Sequence, residues 1–155
     1  MKKRILALLL VLVMSLMCSC SIFGGVSNEG SVSIVVENAD GSYDVFEVDL
    51  VRVENKDEGV KGVLEYLSQE KNDKLYVEMV DGGYGAYVTA IGNITENPSD
   101  GAYVMVYTSV ATDGYEGGPT VEYEGIVLAQ SGVGISSMTV ADGTVILFRI
   151  EAYEY

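Results

Sequence analysis

The dipeptide Asp-Gly occurs five times in this chain, at Asp40-Gly41, Asp81-Gly82, Asp100-Gly101, Asp113-Gly114 and Asp142-Gly143, each beside an apolar run. Glycine takes positive φ at no steric cost and aspartate bonds its own backbone, so such pairs read as turns between strands. The adjoining runs are rich in β-branched residues and tyrosine, which suit a pleated surface. They predict strands at residues 75–80, 87–94, 102–110, 121–129 and 144–152. Upstream, residues 31–37 and 43–53 alternate polar and apolar about turn residues 38–42, a β-hairpin pattern. In its second strand Phe46, Val48 and Leu50 share the side expected to face inward. A calcium reading of the same aspartates fails on spacing. No stretch has the alternating acids and distal glutamate of a calcium loop.

One helix interrupts the strands. Asn55 with Glu58 three residues on has the form of a capping box, and Asp57 and Glu58 put negative charge where the helix dipole is positive. Val60, Val63, Leu64 and Leu67 then recur at helical spacing and form one apolar stripe. Gly59 and Gly62 each weaken this helix by about 1 kcal/mol relative to alanine, so packing on a sheet must hold it.

The N-terminus has a different organisation. Lys2, Lys3 and Arg4 precede an almost unbroken apolar run over residues 5–14, the layout of an export signal. That run is shorter than the roughly 20 residues a spanning helix needs. The following Met17-Cys18-Ser19-Cys20 resembles a bacterial lipoprotein signal, although Met17 stands where the pattern usually has Leu. The resemblance implies cleavage after Ser19 and acylation of Cys20, with Cys18 the weaker candidate because bulky Met17 precedes it. The expected division is residues 1–19 as signal peptide, 20–30 as lipidated tether and 31–155 as one domain. The expected location is the extracytoplasmic face of a cell membrane. A single acyl chain holds a protein there only marginally, so the anchor calls for two or three.

Removing the leader takes three of the nine basic residues and none of the 23 acidic ones, leaving 136 residues with a formal charge of −17. Such an acidic surface excludes nucleic acid and keeps an exported domain soluble. Both cysteines, Cys18 and Cys20, lie at the leader, so the domain has no disulfide or thiol chemistry. Histidine is absent throughout, which removes the commonest general base and transition-metal ligand. A serine nucleophile would have to rely on Lys56, Lys61, Lys71 or Lys74, none of them in a Ser-x-x-Lys pattern. No catalytic residue, metal site or cofactor is expected. A carboxylate-based hydrolase is the remaining enzyme reading, and a single domain of this size offers little room for its cleft. The sequon Asn93-Ile94-Thr95 reads as a chance match.

The order of hairpin, helix and strands, with Tyr84-Gly-Ala-Tyr-Val-Thr-Ala-Ile-Gly92, Gly101-Ala-Tyr-Val-Met-Val-Tyr-Thr-Ser109 and residues 134–148, resembles the transcobalamin C-terminal-like domain family. That family occurs in bacterial lipoproteins and as the capping domain of animal cobalamin carriers. The resemblance implies a β-grasp-like α+β fold over residues 31–155, a mixed or antiparallel sheet of about five to seven strands with one packed helix. Many members carry Trp where this chain has Ala102 or Tyr103, and the chain contains no Trp. Cobalamin binding is therefore not implied.

Tyrosine supplies eleven of the fourteen aromatic residues. Alternation places Tyr103, Met105 and Tyr107 on one side of their strand and Val104 and Val106 on the other. With Tyr84 and Tyr87 at a glycine-rich corner and Tyr115 in a loop, these tyrosines are the candidate ligand-binding set. A tyrosine presents a large ring, a hydroxyl and few rotatable bonds, which suits rings, sugars or protein partners. The expected function is a non-enzymatic binding module that contacts a surface protein or cell-wall partner. The alternative is capture of a small molecule of corrinoid or tetrapyrrole type.

Overall fold

The computed structural model describes residues 29–69 and 75–153. The leader, Cys18, Cys20, nearly all of the tether, Lys71 and Lys74 lie outside the described residues. In chain order the elements are β1 (Ser31–Glu37), β2 (Tyr43–Asp49), α1 (Gly59–Ser68), β3 (Val77–Gly82), β4 (Gly85–Ile91), β5 (Ile94–Thr95), β6 (Ala102–Thr108), β7 (Thr120–Tyr123), β8 (Ile126–Gln130) and β9 (Thr144–Ala152). The fold is α+β and mostly sheet. Six strands form one mixed sheet in the order β2-β1-β9-β6-β8-β7, and β3-β4-β5 form a second.

The first and last strands, β1 and β9, run side by side in parallel at the middle of the large sheet, from Val32 opposite Thr144 to Val36 opposite Phe148. Every other pairing is antiparallel. Residues 144–148 of β9 are all buried, because both faces of the sheet are covered there. On one face Ile34, Val36, Ile146 and Phe148 pack with Val60, Val63, Leu64 and Leu67 of α1 and with Val88 and Ile91 of β4. On the other face Val35, Val145 and Leu147 meet Tyr107, Tyr123 and Leu128. The sheet coils until its two edge strands touch: Tyr43 of β2 lies edge-on to Tyr123 of β7, ring centroids 5.1 Å apart.

Several expectations need correction. The run 121–129 is two strands, β7 and β8, because Glu124 and Gly125 both take positive φ, 50° and 80°, and close a two-residue hairpin. Glutamate is an uncommon residue in such a turn, so the apolar run hides it. The expected capping box does not form. Lys56–Glu58 make a 3-10 turn, Asn55 gives α1 no side-chain cap, and the Glu58 carboxylate instead takes Lys61 Nζ at 2.5 Å. Asp81-Gly82 lies inside β3, and the corner falls one step later, at Gly83 and Tyr84. The inward side of β2 is as read for Val48, which is buried, and Phe46, which packs against the core, but the strand ends at Asp49 and the buried Leu50 opens a 3-10 turn, Leu50–Arg52, where the alternation predicts a strand to 53.

Gly62 is where packing overrides helix propensity. A Cβ there would overlap the Asn55 backbone carbonyl, which the preceding turn presses onto α1. Alanine would gain about 1 kcal/mol of propensity, whereas forcing the helix off the turn costs about 1–3 kcal/mol and cannot be relieved by a rotamer change. Gly62→Ala is therefore expected to lower the urea midpoint at unchanged m-value; a raised midpoint would contradict the close approach.

Candidate functional site

Tight backbone contact between two segments builds one end of the molecule. The tip of the β3-β4 hairpin, residues 82–87, lies against residues 131–134, which follow β8. A Cβ on Gly134 would stand 2.6 Å from the Tyr84 carbonyl oxygen and 3.0 Å from Gly85 Cα, so only glycine permits the approach. Beyond it the Ile135 N–H donates to the Ala86 carbonyl at 2.9 Å. A third segment is fastened alongside. The Tyr115 N–H donates to the Gln130 carbonyl at 2.7 Å, and the Gly132 N–H to the Asp113 carbonyl at 2.8 Å. Asp113 is itself buried, and its carboxylate accepts from the Thr139 N–H at 2.5 Å and the Thr139 hydroxyl at 3.1 Å. That acid clamps the Tyr115 loop to the chain leading into β9.

Tyrosines project from this fastened base. Tyr84 is 97% exposed, Tyr115 62% and Tyr87 47%, and Val133 adds an apolar group at 42%. Between the hairpin tip and residues 131–134 lies an open basin of about 450 Å³. It continues into a smaller recess of about 130 Å³, where Tyr87, Val88, Val104, Val106 and Ile135 form apolar walls.

Of the five expected tyrosines, two, Tyr84 and Tyr87, line this cleft, and exposed Tyr115 stands beside it, its backbone against Gly132, without lining it. The other two correct the picture of a continuous aromatic face. Tyr103 is half-buried with its ring against Tyr153, centroids 6.3 Å apart, and is not part of the cleft lining. Tyr107 is fully buried in the second core and donates its hydroxyl to Glu151 at 2.5 Å. Alternation along β6 assigned its side correctly but could not show that β7 and β8 cover that side. Val133 was missed, since a lone valine between glycines carries no signal in the sequence.

The described lysines are committed elsewhere. Lys61 pairs with Glu58 and, at 3.7 Å, with Glu65, and Lys56 Nζ donates to the Leu50 carbonyl at 3.2 Å. Among the described residues no three His, Cys, Asp or Glu side chains gather as a metal site would require.

No protein-family model matches the chain, and no curated protein does. Solved structures share its fold. A Ruminococcus gnavus protein provisionally described as metal binding aligns over 81% of this chain and 100% of its own, at 17% identity and a TM-score of 0.57. Haptocorrin, crystallised in complex with Cbi, aligns over 88% of this chain at 18% identity and a TM-score of 0.57. The chain spans 28% of the haptocorrin chain. At these identities the likeness concerns the fold alone, and it is consistent with the fold that the resemblance to transcobalamin C-terminal-like domains implies.

Tyr107 makes the domain sensitive to alkali. Burial first, and then the hydrogen bond to Glu151, raise its pKa above the ordinary 10.0; burial raises Tyr123 as well. The folded state thus keeps protons that the unfolded chain releases above its own pKa. The contribution is complete below about pH 10 and is lost as pH climbs through the folded value. Urea unfolding should show stability falling from about pH 10 upward. Tyr107→Phe should cost about 1.5–3 kcal/mol at neutral pH and flatten that fall; an unchanged slope would contradict the assignment.

Proposed function

We propose that residues 31–155 form a non-enzymatic binding module, held outside the cytosol by lipid on Cys20, that contacts a protein or cell-envelope partner through the Tyr84, Tyr87 and Val133 cleft and the neighbouring Tyr115. One observation carries the reading: Tyr84, Tyr87 and Val133 stand exposed along one cleft, with exposed Tyr115 beside it, on a base whose backbone is locked by Gly134 and Asp113. A locked backbone spares the entropy of ordering a loop on contact, and each tyrosine offers ring area with a hydroxyl at its tip. The shape favours a large partner. A pocket for a free small molecule buries most of its ligand, whereas this recess of about 130 Å³ opens into a broad basin.

A second reading has its own support. The fold is shared with haptocorrin, described in complex with Cbi, so a flat macrocycle lying across the tyrosines is the alternative ligand class. On this chain such a ligand would leave one face uncovered.

The readings separate in one set of measurements. The full chain and a Tyr84→Ala, Tyr115→Ala variant are tested against immobilised envelope protein and purified cell-wall sacculi, and titrated with cobinamide and haem by absorbance. Contact predicts envelope binding that weakens at least about tenfold in the variant, about 1.4 kcal/mol, with no saturable spectral shift. A saturable shift abolished in the variant would establish capture instead. Binding indifferent to both tyrosines would overturn the site, and turnover on a glycan panel lost with one acidic substitution would overturn the non-enzymatic reading.

Anchoring has a separate test. Cys20→Ala should abolish labelling by a fatty-acid probe and move the protein out of the membrane fraction. Persistent labelling would assign the lipid to Cys18.

A further inference from the structure

A second cavity lies away from the tyrosines, at the point where β1 stops and β9 continues. Asn38 ends β1 by turning the chain: its N–H donates to the Ser42 carbonyl at 2.8 Å and its carbonyl accepts from Gly41 at 2.9 Å. The Asp40 carboxylate, taking the Ser42 N–H at 3.0 Å, closes the turn. β9 pairs with β1 only as far as Phe148 but runs on to Ala152. Its edge beside Arg149 and Ile150 therefore lacks a strand neighbour on that side. The turn from β4 into β5 faces the gap, and together they border a half-open space of about 420 Å³. Pockets for small ligands begin at about 300 Å³.

The lining specifies a ligand class. Arg149 Nη1 lies 3.3 Å from Glu37 Oε2, and Nε lies 3.7 Å from Glu151 Oε1, within ion-pair range but too far for a hydrogen bond. Two carboxylates thus surround one guanidinium. An anion would meet Glu37, a cation would meet Arg149, and no aromatic ring lines the space to stack a flat heterocycle. On the opposite wall, the Asn93 amide and Thr95 hydroxyl stand at the cavity with exposed side chains. Half-buried Ile150 supplies apolar surface beside these groups, with Ile94 nearly covered beneath it. A hydroxyl both donates and accepts, so a ligand bearing several can serve the Asn93 amide, the Thr95 hydroxyl and the Glu37 carboxylate alike. The C–H face of a sugar ring suits Ile150.

We infer that this cavity is a binding site for a neutral, hydroxyl-rich ligand the size of a monosaccharide, independent of the tyrosine cleft. The test follows backbone amide resonances of the full chain, in a detergent without sugar headgroups, during titration with glucose, galactose and N-acetylglucosamine. At least one sugar should shift the resonances of residues 37–39, 93–95 and 149–150 saturably. Asn93→Ala combined with Thr95→Val should weaken that binding about tenfold, the effect of losing about 1.4 kcal/mol. Tyr84→Ala should leave it unchanged, so loss of the tyrosine site and loss of this one are read separately. The inference is overturned if none of the three sugars saturates, if the double variant binds as well as the parent, or if inorganic phosphate or guanidinium shifts the same residues where sugars do not.

Discussion

The structure depends on the parallel pairing of β1 with β9. These strands begin and end the described domain, so their hydrogen bonds close a loop of more than 100 residues, from Val32 to Thr144. Closing so long a loop is entropically unfavourable and is repaid only when the strands are covered on both faces. Side chains from the same two strands do this. Ile34, Val36, Ile146 and Phe148 anchor the helix side, while Val35, Val145 and Leu147 anchor the side under β7 and β8. The register is pinned at its start by the Asp142-Gly143 turn. There the Gly143 N–H donates to the Ser31 carbonyl at 2.9 Å and the Asp142 carboxylate accepts the Ser31 N–H at 3.0 Å.

Both proposed sites follow from this central pair. Because β1 is shorter than its partner, β9 has a bare edge, and the polar cavity lies there. Because the chain leading into β9 must cross the end of the sheet, residues 131–134 are carried past the β3-β4 hairpin, and Gly134 lets the backbones meet. Asp113 then ties the Tyr115 loop to Thr139 on the same crossing segment. The cleft is thus held by backbone contacts and one buried acid, which leaves its side chains free to face outward. Tyr107 shows the opposite use of the same residue type: its ring fills the second core while its hydroxyl engages Glu151, which also neighbours Arg149.

What could be read in advance had local causes. Turn chemistry marked most corners, and Asp40-Gly41, Asp100-Gly101 and Asp142-Gly143 bend the chain with glycine at positive φ. The 3.6-residue stripe located Val60, Val63, Leu64 and Leu67, all fully buried. Where local signals competed, reading failed. Asn55 and Glu58 had the letters of a capping box, but Gly59 at φ 59° starts the helix later and Lys61 takes the glutamate. Glu124-Gly125 turned a strand that looked continuous, because its flanks are as apolar as a strand interior.

By itself the sequence determined strand-forming runs, one helix stripe, the direction of alternating side chains, and a stretch from residue 21 onward without histidine or cysteine, because each depends only on residues near one another or on composition. Tertiary structure alone decided which tyrosines are exposed. Tyr84 and Tyr107 are the same residue in similar β-rich surroundings, yet one stands in solvent and the other lies beneath a hairpin more than a dozen residues away in sequence. It also decided that Glu37, Asn38, Asn93 and Arg149 border one space. Alternation states which side of a strand a residue occupies, but only the long-range order of strands states what covers that side.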